Sequence, residues 1–277
     1  MIVESKIKIK SFLRWAGGKR WLIKNIKDFL PASFNNYHEP FIGGASIFIY
    51  LKSNGIINNE SFISDFNEEL INAYEILKNN PTELIKNLKK LKNKKEDYYL
   101  VRASNPYKDI TKAARFIYLN KTSFNGIYRV NRNGKYNVPY GYRSVYNLYE
   151  FDNMLQLNEL LNDNVNVFSG DFDLVRENIL PNDLIFIDPP YTVAHENNGF
   201  VAYNQSIFTW EDQERIADLL DHINTIGAYF IMTNAAHVSI HDLFQQFGTR
   251  KIVQRHSVIG GNGATRNRVN EYIYTNI

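Results

Sequence analysis

The chain contains no cysteine among its 277 residues. It therefore has no disulfide bridge, no thiolate ligand for a metal and no cysteine nucleophile. Long apolar runs are also missing, and no stretch approaches the length of about 20 residues that a helix needs to cross a bilayer. The N-terminal residues alternate charged and apolar side chains instead of forming the apolar core of a signal peptide. These absences predict a cytoplasmic protein that does not insert into a membrane.

Charge is distributed unevenly along the chain. The net charge is only +3, and the hydrophobic and charged fractions, 44% and 22%, are typical of a globular protein. Residues 86–135 nevertheless contain 14 Lys and Arg with only three acids, so this basic segment carries +11 and the rest carries −8. A basic block in an acidic chain indicates a polyanion-binding surface, with nucleic acid the first candidate. The alternative, a solvated lysine-rich helix, fits residues 86–95 equally well.

Strand and helix signals alternate along most of the sequence. Apolar spacing predicts a helix over residues 19–30, and Pro31 ends it. The other predicted helices are 45–51, 70–77, 81–91, 148–161 and one that begins after Thr209. The predicted strands are 37–41, 62–65, 165–168, 184–187, 229–233, 251–254 and 272–274. This alternation predicts an α/β fold with a doubly wound, mostly parallel sheet.

The middle of the chain differs in composition. Residues 95–148 are rich in Tyr, Asn and Arg, and Asn133-Gly134 separates two short runs, which is typical of a β-hairpin. We interpret this region as a mostly helical insertion that carries the hairpin. The predicted domains are 1–78 with 163–277 for the sheet, and 79–162 for the insertion.

Three predicted strand ends carry residues suited to a nucleotide-like ligand. In Glu39-Pro-Phe-Ile-Gly-Gly44 the glycines allow close approach of the backbone, although any tight strand-to-helix turn needs glycine. Asp65 follows about 20 residues later, a spacing that suits a carboxylate binding both ribose hydroxyls; a helix N-cap is an equal alternative. Asp171 and Phe172 follow the third strand and can meet a purine by hydrogen bonding and stacking. In a doubly wound sheet such ends converge on one crevice.

The fourth strand end is Asp188-Pro-Pro-Tyr191. Two prolines fix the backbone and remove two N–H donors, which leaves carbonyl acceptors pointing in a set direction. Asp188 adds another acceptor and Tyr191 an aromatic ring. Together they can hold an exocyclic amino group by two hydrogen bonds while its ring stacks on the tyrosine. The alternative is a strand that prolines merely terminate at a turn.

Six motifs, in family order over residues 12 to about 235, resemble the Dam-type DNA adenine N6-methyltransferases of the alpha, or D12, class. One departure is Gly44-Ala45, where many relatives continue the glycines. The matching motifs are Phe12-Leu-Arg-Trp-Ala-Gly-Gly-Lys19, Glu39-Pro-Phe-Ile-Gly-Gly44, Ser64-Asp-Phe-Asn67, Ser123-Phe-Asn-Gly-Ile-Tyr-Arg-Val-Asn131, Asn137-Val-Pro-Tyr-Gly141 and Asp188-Pro-Pro-Tyr191. The resemblance implies a Rossmann-like methyltransferase sheet and a target-recognition domain over 79–162. It also implies S-adenosylmethionine as methyl donor and duplex DNA as partner.

The resemblance also implies a set of cofactor-binding residues. Lys19 would bind the methionine carboxylate, Asp65 the ribose, and Asp171 with Phe172 the cofactor adenine. The complete set is Trp15, Lys19, Glu39, Phe41, Gly43, Asp65, Asp171, Phe172 and Asp188. No metal is expected, because the six histidines show no ligand spacing.

The implied catalytic residues are Asp188, Pro189, Pro190 and Tyr191. The N6 lone pair of adenine is delocalised, so this nitrogen is a poor nucleophile. If Asp188 and the Pro189 carbonyl accept its two hydrogens, a pyramidal nitrogen is favoured and direct in-line transfer follows. The base must leave the duplex, and Tyr191 would stack on it. The absence of cysteine argues against methylation at C5 of cytosine.

DNA-binding residues are implied in the first motif and around the hairpin. A two-stranded ribbon fits the major groove, where an arginine binds guanine O6 and N7. The residues are Arg14, Phe124, Asn125, Ile127, Arg129, Asn137 and Pro139. The predicted site is GATC or a longer site containing GAT; the alternative for Arg129 is a phosphate contact. Many relatives have lysine at the position of Arg14, which weakens the expectation for the first guanine.

Two other functions compete with this interpretation. One is amino-methylation of RNA or of a protein glutamine, against which the basic segment and the hairpin motif argue. The other is a DNA-binding regulator without catalysis, against which the intact motifs at Trp15–Lys19 and Asp188–Tyr191 argue. Both a solitary enzyme and one paired with a restriction nuclease fit the sequence. A monomer is expected, with a dimer on DNA as the alternative.

Overall fold

The computed structural model describes residues 9–131, 133–142, 148–192, 208–256 and 268–277. In this part of the chain seven strands form one sheet in the order β3-β2-β1-β4-β5-β7-β6. They are β1 Tyr37–Glu39, β2 Ser61–Asp65, β3 Val165–Ser169, β4 Leu184–Ile187, β5 Tyr229–Ala235, β6 Thr249–His256 and β7 Arg268–Thr275. Strand β1 is parallel to β2 and β4, β4 is parallel to β5, and β7 is antiparallel to both β5 and β6. The prediction of a Rossmann-like methyltransferase sheet is confirmed.

The described α-helices fall between these strands. They are α1 Ser46–Ser53, α2 Glu68–Asn79, α3 Pro81–Lys89, α4 Lys95–Ala103, α5 Asp109–Thr122, α6 Phe151–Leu161, α7 Trp210–Ile226 and α8 Val238–Phe244. Helix α7 begins after Thr209, as predicted, with a capping box between Thr209 and Asp212, and it ends at Gly227, whose φ is +80°. None of the helices in the described ranges is long and apolar enough to cross a membrane.

The predicted helix over residues 19–30 is wrong. This stretch forms two short 3-10 turns, Leu22–Lys24 and Ile26–Phe29, separated at Asn25 with φ −120° and ψ 3°. Leu22, Ile26 and Phe29 are buried, as their spacing indicates. Apolar spacing therefore identified the buried residues, but it does not distinguish a continuous α-helix from two tighter turns.

The predicted hairpin is present but short. Val130 pairs with Tyr136 in a single antiparallel bridge, and the N–H of Gly134 donates to the carbonyl of Asn131 at 2.9 Å. A second bridge joins Ser123 to Tyr140. Position 132, within the predicted turn, lies outside the described residues. Within residues 123–131 and 133–142, antiparallel pairing is limited to these two bridges. We call these residues the ribbon.

Residue contacts divide the chain into two compact units. The first contains Met1–Arg20, Ile42–Ile57 and Ser64–Gly170, and the second contains Trp21–Phe41, Asn58–Ile63 and Asp171–Ile277. The predicted insertion, 79–162, lies entirely within the first unit and includes α3 to α6 and the ribbon. Its role as a separate recognition domain stays a prediction.

The core of the second unit lies between β4, β5 and α7. Ile185 and Ile187 of β4, Phe230 of β5 and Ile216 and Leu220 of α7 are all completely buried there. Burial of aliphatic and aromatic side chains of this size contributes about 1.5–3 kcal/mol per residue. This core fixes the carboxyl end of β4, from which Asp188 follows.

Tyrosines support the ribbon in the first unit. The hydroxyl of Tyr98 donates to the carbonyl of Val138 at 2.8 Å, and that of Tyr136 donates to the carbonyl of Ile127 at 2.7 Å. Burial raises the pKa of Tyr136 to about 12, so its hydroxyl keeps the proton that it donates. Because the ribbon has few ladder hydrogen bonds, side-chain hydroxyls satisfy carbonyls that a strand partner would otherwise satisfy.

Candidate active site

In the first unit, the turn that contains Gly43 is hydrogen-bonded to the carboxylate of Asp65 at the end of β2. The N–H of Gly43 donates to Oδ2 of Asp65 at 3.1 Å, and the N–H of Asn67 donates to Oδ1 at 3.0 Å. Burial raises the pKa of the Asp65 carboxyl, and the hydrogen bonds from these backbone donors only partly offset this effect. The resulting pKa is about 6. Asn67, whose Oδ1 accepts from the N–H of Leu70, caps α2. The alternative that Asp65 is the N-cap is therefore wrong.

Trp15 and Lys19 precede this turn in the same unit. The Trp15 ring stacks on Tyr128 with centroids 6.0 Å apart, and a Cβ on Gly43 would lie 2.6 Å from its Cδ1 atom. Lys19 is only 4% exposed, and its ammonium donates to the carbonyl of Gly17 at 3.0 Å. The structure thus places Trp15 against Gly43 and keeps a cation in a buried position.

Phe66 is a residue that the sequence analysis missed. It directly follows Asp65, and it is 72% exposed although its ring is large and apolar. An exposed aromatic ring beside a carboxylate can stack on a heteroaromatic ring. Its position inside Ser64-Asp-Phe-Asn67 was the signal that could have identified it.

In the second unit three phenylalanines form an aromatic group. Phe41 stacks on Phe172 with centroids 5.3 Å apart and meets Phe208 edge-on at 5.7 Å. Phe172 and Phe208 are buried, and Phe41 is half-buried. Two of the predicted cofactor residues, Phe41 and Phe172, are therefore in direct contact.

Asp171 forms an ion pair with Arg215 of α7. Burial raises the pKa of the Asp171 carboxyl, but the hydrogen bonds from Arg215 and from the N–H of Asp173 outweigh it and leave the pKa below its ordinary value. The Arg215 guanidinium also lies 4.6 Å from the Phe172 ring centroid. Sequence analysis missed Arg215, because it is distant along the chain from the residues it contacts.

Glu39, at the carboxyl end of β1, is also part of a buried hydrogen bond. The hydroxyl of Tyr37, two residues earlier, donates to Oε2 of Glu39 at 2.6 Å. Burial raises the pKa of Tyr37 far above its ordinary value, and the Glu39 charge raises it further. The hydroxyl therefore stays a donor and holds the carboxylate of Glu39.

The Asp188–Tyr191 loop follows β4 directly. Oδ1 of Asp188 accepts a hydrogen bond from Oγ1 of Thr233 at 2.7 Å, and the hydroxyl of Tyr191 donates to Oε2 of Glu271 at 2.9 Å. Pro189 is buried and Pro190 is half-buried. Side chains of β5 and β7 thus contact both ends of the loop.

The ribbon presents most of the predicted DNA-binding residues to solvent. Phe124, Asn125, Arg129, Asn137 and Pro139 are exposed, whereas Ile127 is half-buried. The N–H of Phe124 donates to the carbonyl of Pro139 at 2.9 Å. Nε of Arg129 donates to Oδ1 of Asn137 at 2.8 Å, which orients the guanidinium.

The backbone of Arg14 is held by hydrogen bonds within the first unit. Its N–H and carbonyl both bond to the Asn120 amide, at 2.8 and 2.6 Å, and a Cβ on Gly126 would lie 2.7 Å from the Cβ of Arg14. Asn120 is buried, and sequence analysis did not single it out.

The basic segment is spread over several elements. Its exposed lysines are Lys86, Lys89, Lys90, Lys92, Lys94, Lys95, Lys108, Lys112 and Lys135. Of these, Lys86 pairs with Glu83 and Lys112 with Asp109. The lysines lie on α3, α4, α5, the turns beside them and the ribbon. Residues 86–95, for which one solvated helix was the alternative, span the end of α3, a non-helical stretch and the first residue of α4. Polyanion binding stays a prediction.

Within the described residues, a seven-stranded sheet with antiparallel β7 and an Asp-Pro-Pro-Tyr motif after β4 is the arrangement of a Rossmann-like methyltransferase. The chain belongs to the D12 class N6 adenine-specific DNA methyltransferase family, whose model matches residues 15–258. It is thus an adenine-specific DNA methyltransferase, and the family implies S-adenosylmethionine as donor and DNA as substrate. In the described ranges, no group of three or more His, Asp or Glu side chains is arranged to hold a metal ion.

Curated relatives match nearly the whole chain. The type II methyltransferase M1.LlaDCHI of Lactococcus lactis subsp. cremoris is 32% identical over 285 residues, covering 100% of this chain and 98% of that protein. The type II methyltransferase M.MjaIII of Methanocaldococcus jannaschii is 32% identical, with coverages of 91% and 93%. The DNA adenine methylase of Vibrio cholerae is 28% identical, with coverages of 96% and 95%.

Proposed function

We propose that the chain methylates N6 of adenine in duplex DNA, within GATC or a longer site containing GAT, and that the base leaves the duplex for transfer. The observation that carries the proposal is the Asp188–Tyr191 loop at the carboxyl end of β4. It offers a carboxylate, a buried proline and an aromatic ring in a single short loop. Ligand sites in open α/β sheets lie at this end of the strands.

The loop residues act on the target amino group. The Asp188 carboxylate and the Pro189 carbonyl accept its two hydrogens, and this favours a pyramidal nitrogen with an available lone pair. Pro190 keeps the loop backbone rigid, so these acceptors lose little entropy when the base binds. Tyr191 stacks on the extruded ring, which replaces the stacking that the base had in the duplex.

The residues present fit S-adenosylmethionine. Lys19 supplies a buried cation for its carboxylate, Asp65 an acceptor for the ribose hydroxyls, and Asp171 with Phe172 an acceptor and a ring for its adenine. Trp15, Glu39, Phe41, Gly43 and Asp188 complete the set. When bound, the cofactor supplies an electrophilic methyl group on a sulfonium.

The ribbon reads the DNA sequence in this proposal. Arg129 binds O6 and N7 of a guanine in the site, and Asn137 holds its guanidinium. Ile127 and Pro139 contact a thymine methyl group, Asn125 lies beside the extruded base, and Phe124 enters the gap that it leaves. Arg14 contacts the first guanine.

The test of catalysis compares wild-type protein with Asp188→Ala. We expect the wild type to transfer radiolabelled methyl groups to duplex DNA, and not to RNA or protein offered side by side. Asp188→Ala abolishes transfer and keeps DNA affinity within roughly tenfold, because phosphate contacts dominate affinity. Near wild-type turnover in Asp188→Ala would overturn the assignment. DNA binding without transfer by the wild type would support the inactive regulator instead.

The target site has its own test. Random duplex DNA is incubated with the wild type, and the methylated adenines are located by sequencing. We expect GATC, or a longer motif that contains GAT. A motif without GAT would contradict the proposed specificity while leaving the reaction itself in place.

A further inference from the structure

Thr233 lies on β5 beside the proposed catalytic aspartate. Strands β4 and β5 are parallel, with Ile187 opposite Met232, so the next residues, Asp188 and Thr233, are also neighbours. The Oγ1 atom of Thr233 donates to Oδ1 of Asp188 at 2.7 Å, which is a good distance for a hydroxyl–carboxylate bond. Thr233 is completely buried. The register of the sheet therefore delivers one shielded donor to the carboxylate.

We propose that Thr233 is a positioning residue for methyl transfer and fixes the carboxylate plane of Asp188 in the orientation that receives the target amino group. The inference rests on the proposed role of Asp188. The terminal torsion of an aspartate is broad, so a carboxylate at the end of a strand needs a partner to hold one orientation. A β-branched threonine is stiff at χ1, and its hydroxyl is aimed by the strand. Hydrogen bonding to a carboxylate also favours its charged, acceptor-only form.

A second buried threonine shows the ordinary structural use of the same group. Thr275 on β7 is 4% exposed, and its Oγ1 donates to the backbone carbonyl of Phe230 at 2.8 Å. Thr233 and Thr275 thus share burial, sheet and similar bond length, and they differ in the acceptor. Thr275 contacts no proposed catalytic residue in the described ranges, which makes it a matched control.

The experiment compares Thr233→Val, Thr233→Ser and Thr275→Val. Valine keeps the shape of threonine and removes the donor. We expect Thr233→Val to lower kcat about 10- to 100-fold, the range found when a residue that orients a metal ligand is removed. The KM for S-adenosylmethionine and the affinity for DNA stay within about twofold, since neither depends on the Asp188 orientation alone. Thr233→Ser restores most of kcat, and Thr275→Val leaves kcat unchanged although it also loses a buried hydrogen bond.

Each contrary result has a distinct meaning. Wild-type kcat in Thr233→Val, with Asp188→Ala inactive, overturns the inference and leaves the proposed function intact. Equal losses of kcat in Thr233→Val and Thr275→Val assign the effect to stability and also overturn it. Should Thr233→Val not fold, Thr233→Ala removes the same donor, and its comparison with Thr233→Ser decides the question. An active Asp188→Ala would instead contradict the proposed function itself.

Discussion

Gly43 is constrained on every side. Its φ is +44°, its N–H donates to Asp65, and its carbonyl accepts from the hydroxyl of Tyr74 at 3.0 Å. The Trp15 ring occupies the space that a side chain at this position would need. A single residue thus joins the glycine turn, the end of β2 and the Trp15 segment, and no other amino acid meets all three requirements.

Gly43→Ala should therefore reduce both stability and cofactor affinity. We expect a loss of roughly 1–3 kcal/mol in the free energy of unfolding, from left-handed strain and displacement of Trp15. Thermal unfolding and titration with S-adenosylmethionine measure the two effects. Gly55→Ala is the control, because Gly55 has φ +65° but nothing within 4 Å of an added Cβ. Equal effects of the two substitutions would show that the Trp15 contact is irrelevant.

Functional residues that end strands could be predicted from the sequence, whereas residues defined by tertiary contact could not. Asp65 and Asp188 end or directly follow apolar runs, so their positions could be predicted. Arg215 and Thr233 lie on α7 and β5, and only the folded chain brings them to Asp171 and Asp188. Local sequence carries no signal for such pairs.

A buried hydrogen bond joins β1 to the residue that precedes β4. Nε2 of His38 lies 2.8 Å from Oδ2 of Asp183, and both side chains are completely buried. Asp183 also accepts from the N–H groups of Asn36 and Leu180. Burial acts to raise the pKa of Asp183, but these hydrogen bonds, led by that from His38, hold it below its ordinary value.

The pair predicts a loss of stability in acid. Because the pKa of Asp183 is lower in the folded state than in the unfolded state, its contribution is present above about pH 4 and is lost as pH falls through the folded value. Asp183→Asn should lower the free energy of unfolding by about 1.5–3 kcal/mol at pH 7 and by much less in acid, since the His38 ring and two backbone N–H groups lose their charged acceptor. Urea unfolding from about pH 7 to about pH 3 measures this. A pH-independent difference between variant and wild type would contradict it.

The proposed contact between Arg129 and a guanine predicts how the enzyme discriminates between bases. Arg129→Ala should cost about 1–3 kcal/mol of discrimination at one base pair and leave the other positions strict. Methylation rates on a set of singly substituted duplexes measure it. Lys135→Ala, an exposed basic residue on the same ribbon, is the control and should weaken all duplexes equally. A uniform loss in Arg129→Ala as well would assign Arg129 to a phosphate.

Helices and strands were predicted correctly where the spacing of apolar residues and the length of the segment indicated the same kind of element. Strands β2 to β7 and helices α2, α3 and α7 overlap their predicted positions, because each contains a short apolar run or apolar residues at helical spacing. The stretch from Leu22 to Phe29 has the apolar spacing of a helix but forms two 3-10 turns, because such spacing does not specify the hydrogen-bond pattern. The ribbon is held by tyrosine hydroxyls, which a hairpin signal does not reveal.

Over the whole molecule, positive charge is concentrated in one part of the chain. Residues 86–135 carry +11 against a total of +3, and this segment lies within the first unit. We expect such a concentration of positive charge to strengthen the field that attracts a polyanion to this segment.

Salt dependence tests the role of the basic segment. Lys90 and Lys94 are exposed between α3 and α4. Replacing both by Ala should reduce the slope of log affinity against log salt by about 1 for each phosphate that is no longer neutralised. Lys24→Ala with Lys27→Ala, exposed lysines of the second unit, should leave the slope unchanged. An unchanged slope in the Lys90 and Lys94 variant would return the segment to a solvated surface.

The tyrosine support of the ribbon has a consequence for divergence. Tyr98 and Tyr136 bind backbone carbonyls of Val138 and Ile127, and every amino acid supplies that carbonyl. Outward positions such as Arg129 and Pro139 can therefore be exchanged without removing the bonds that hold the ribbon's shape. If these positions read the DNA as proposed, single mutations there change the bases that are preferred while the carbonyls that the tyrosines bind remain.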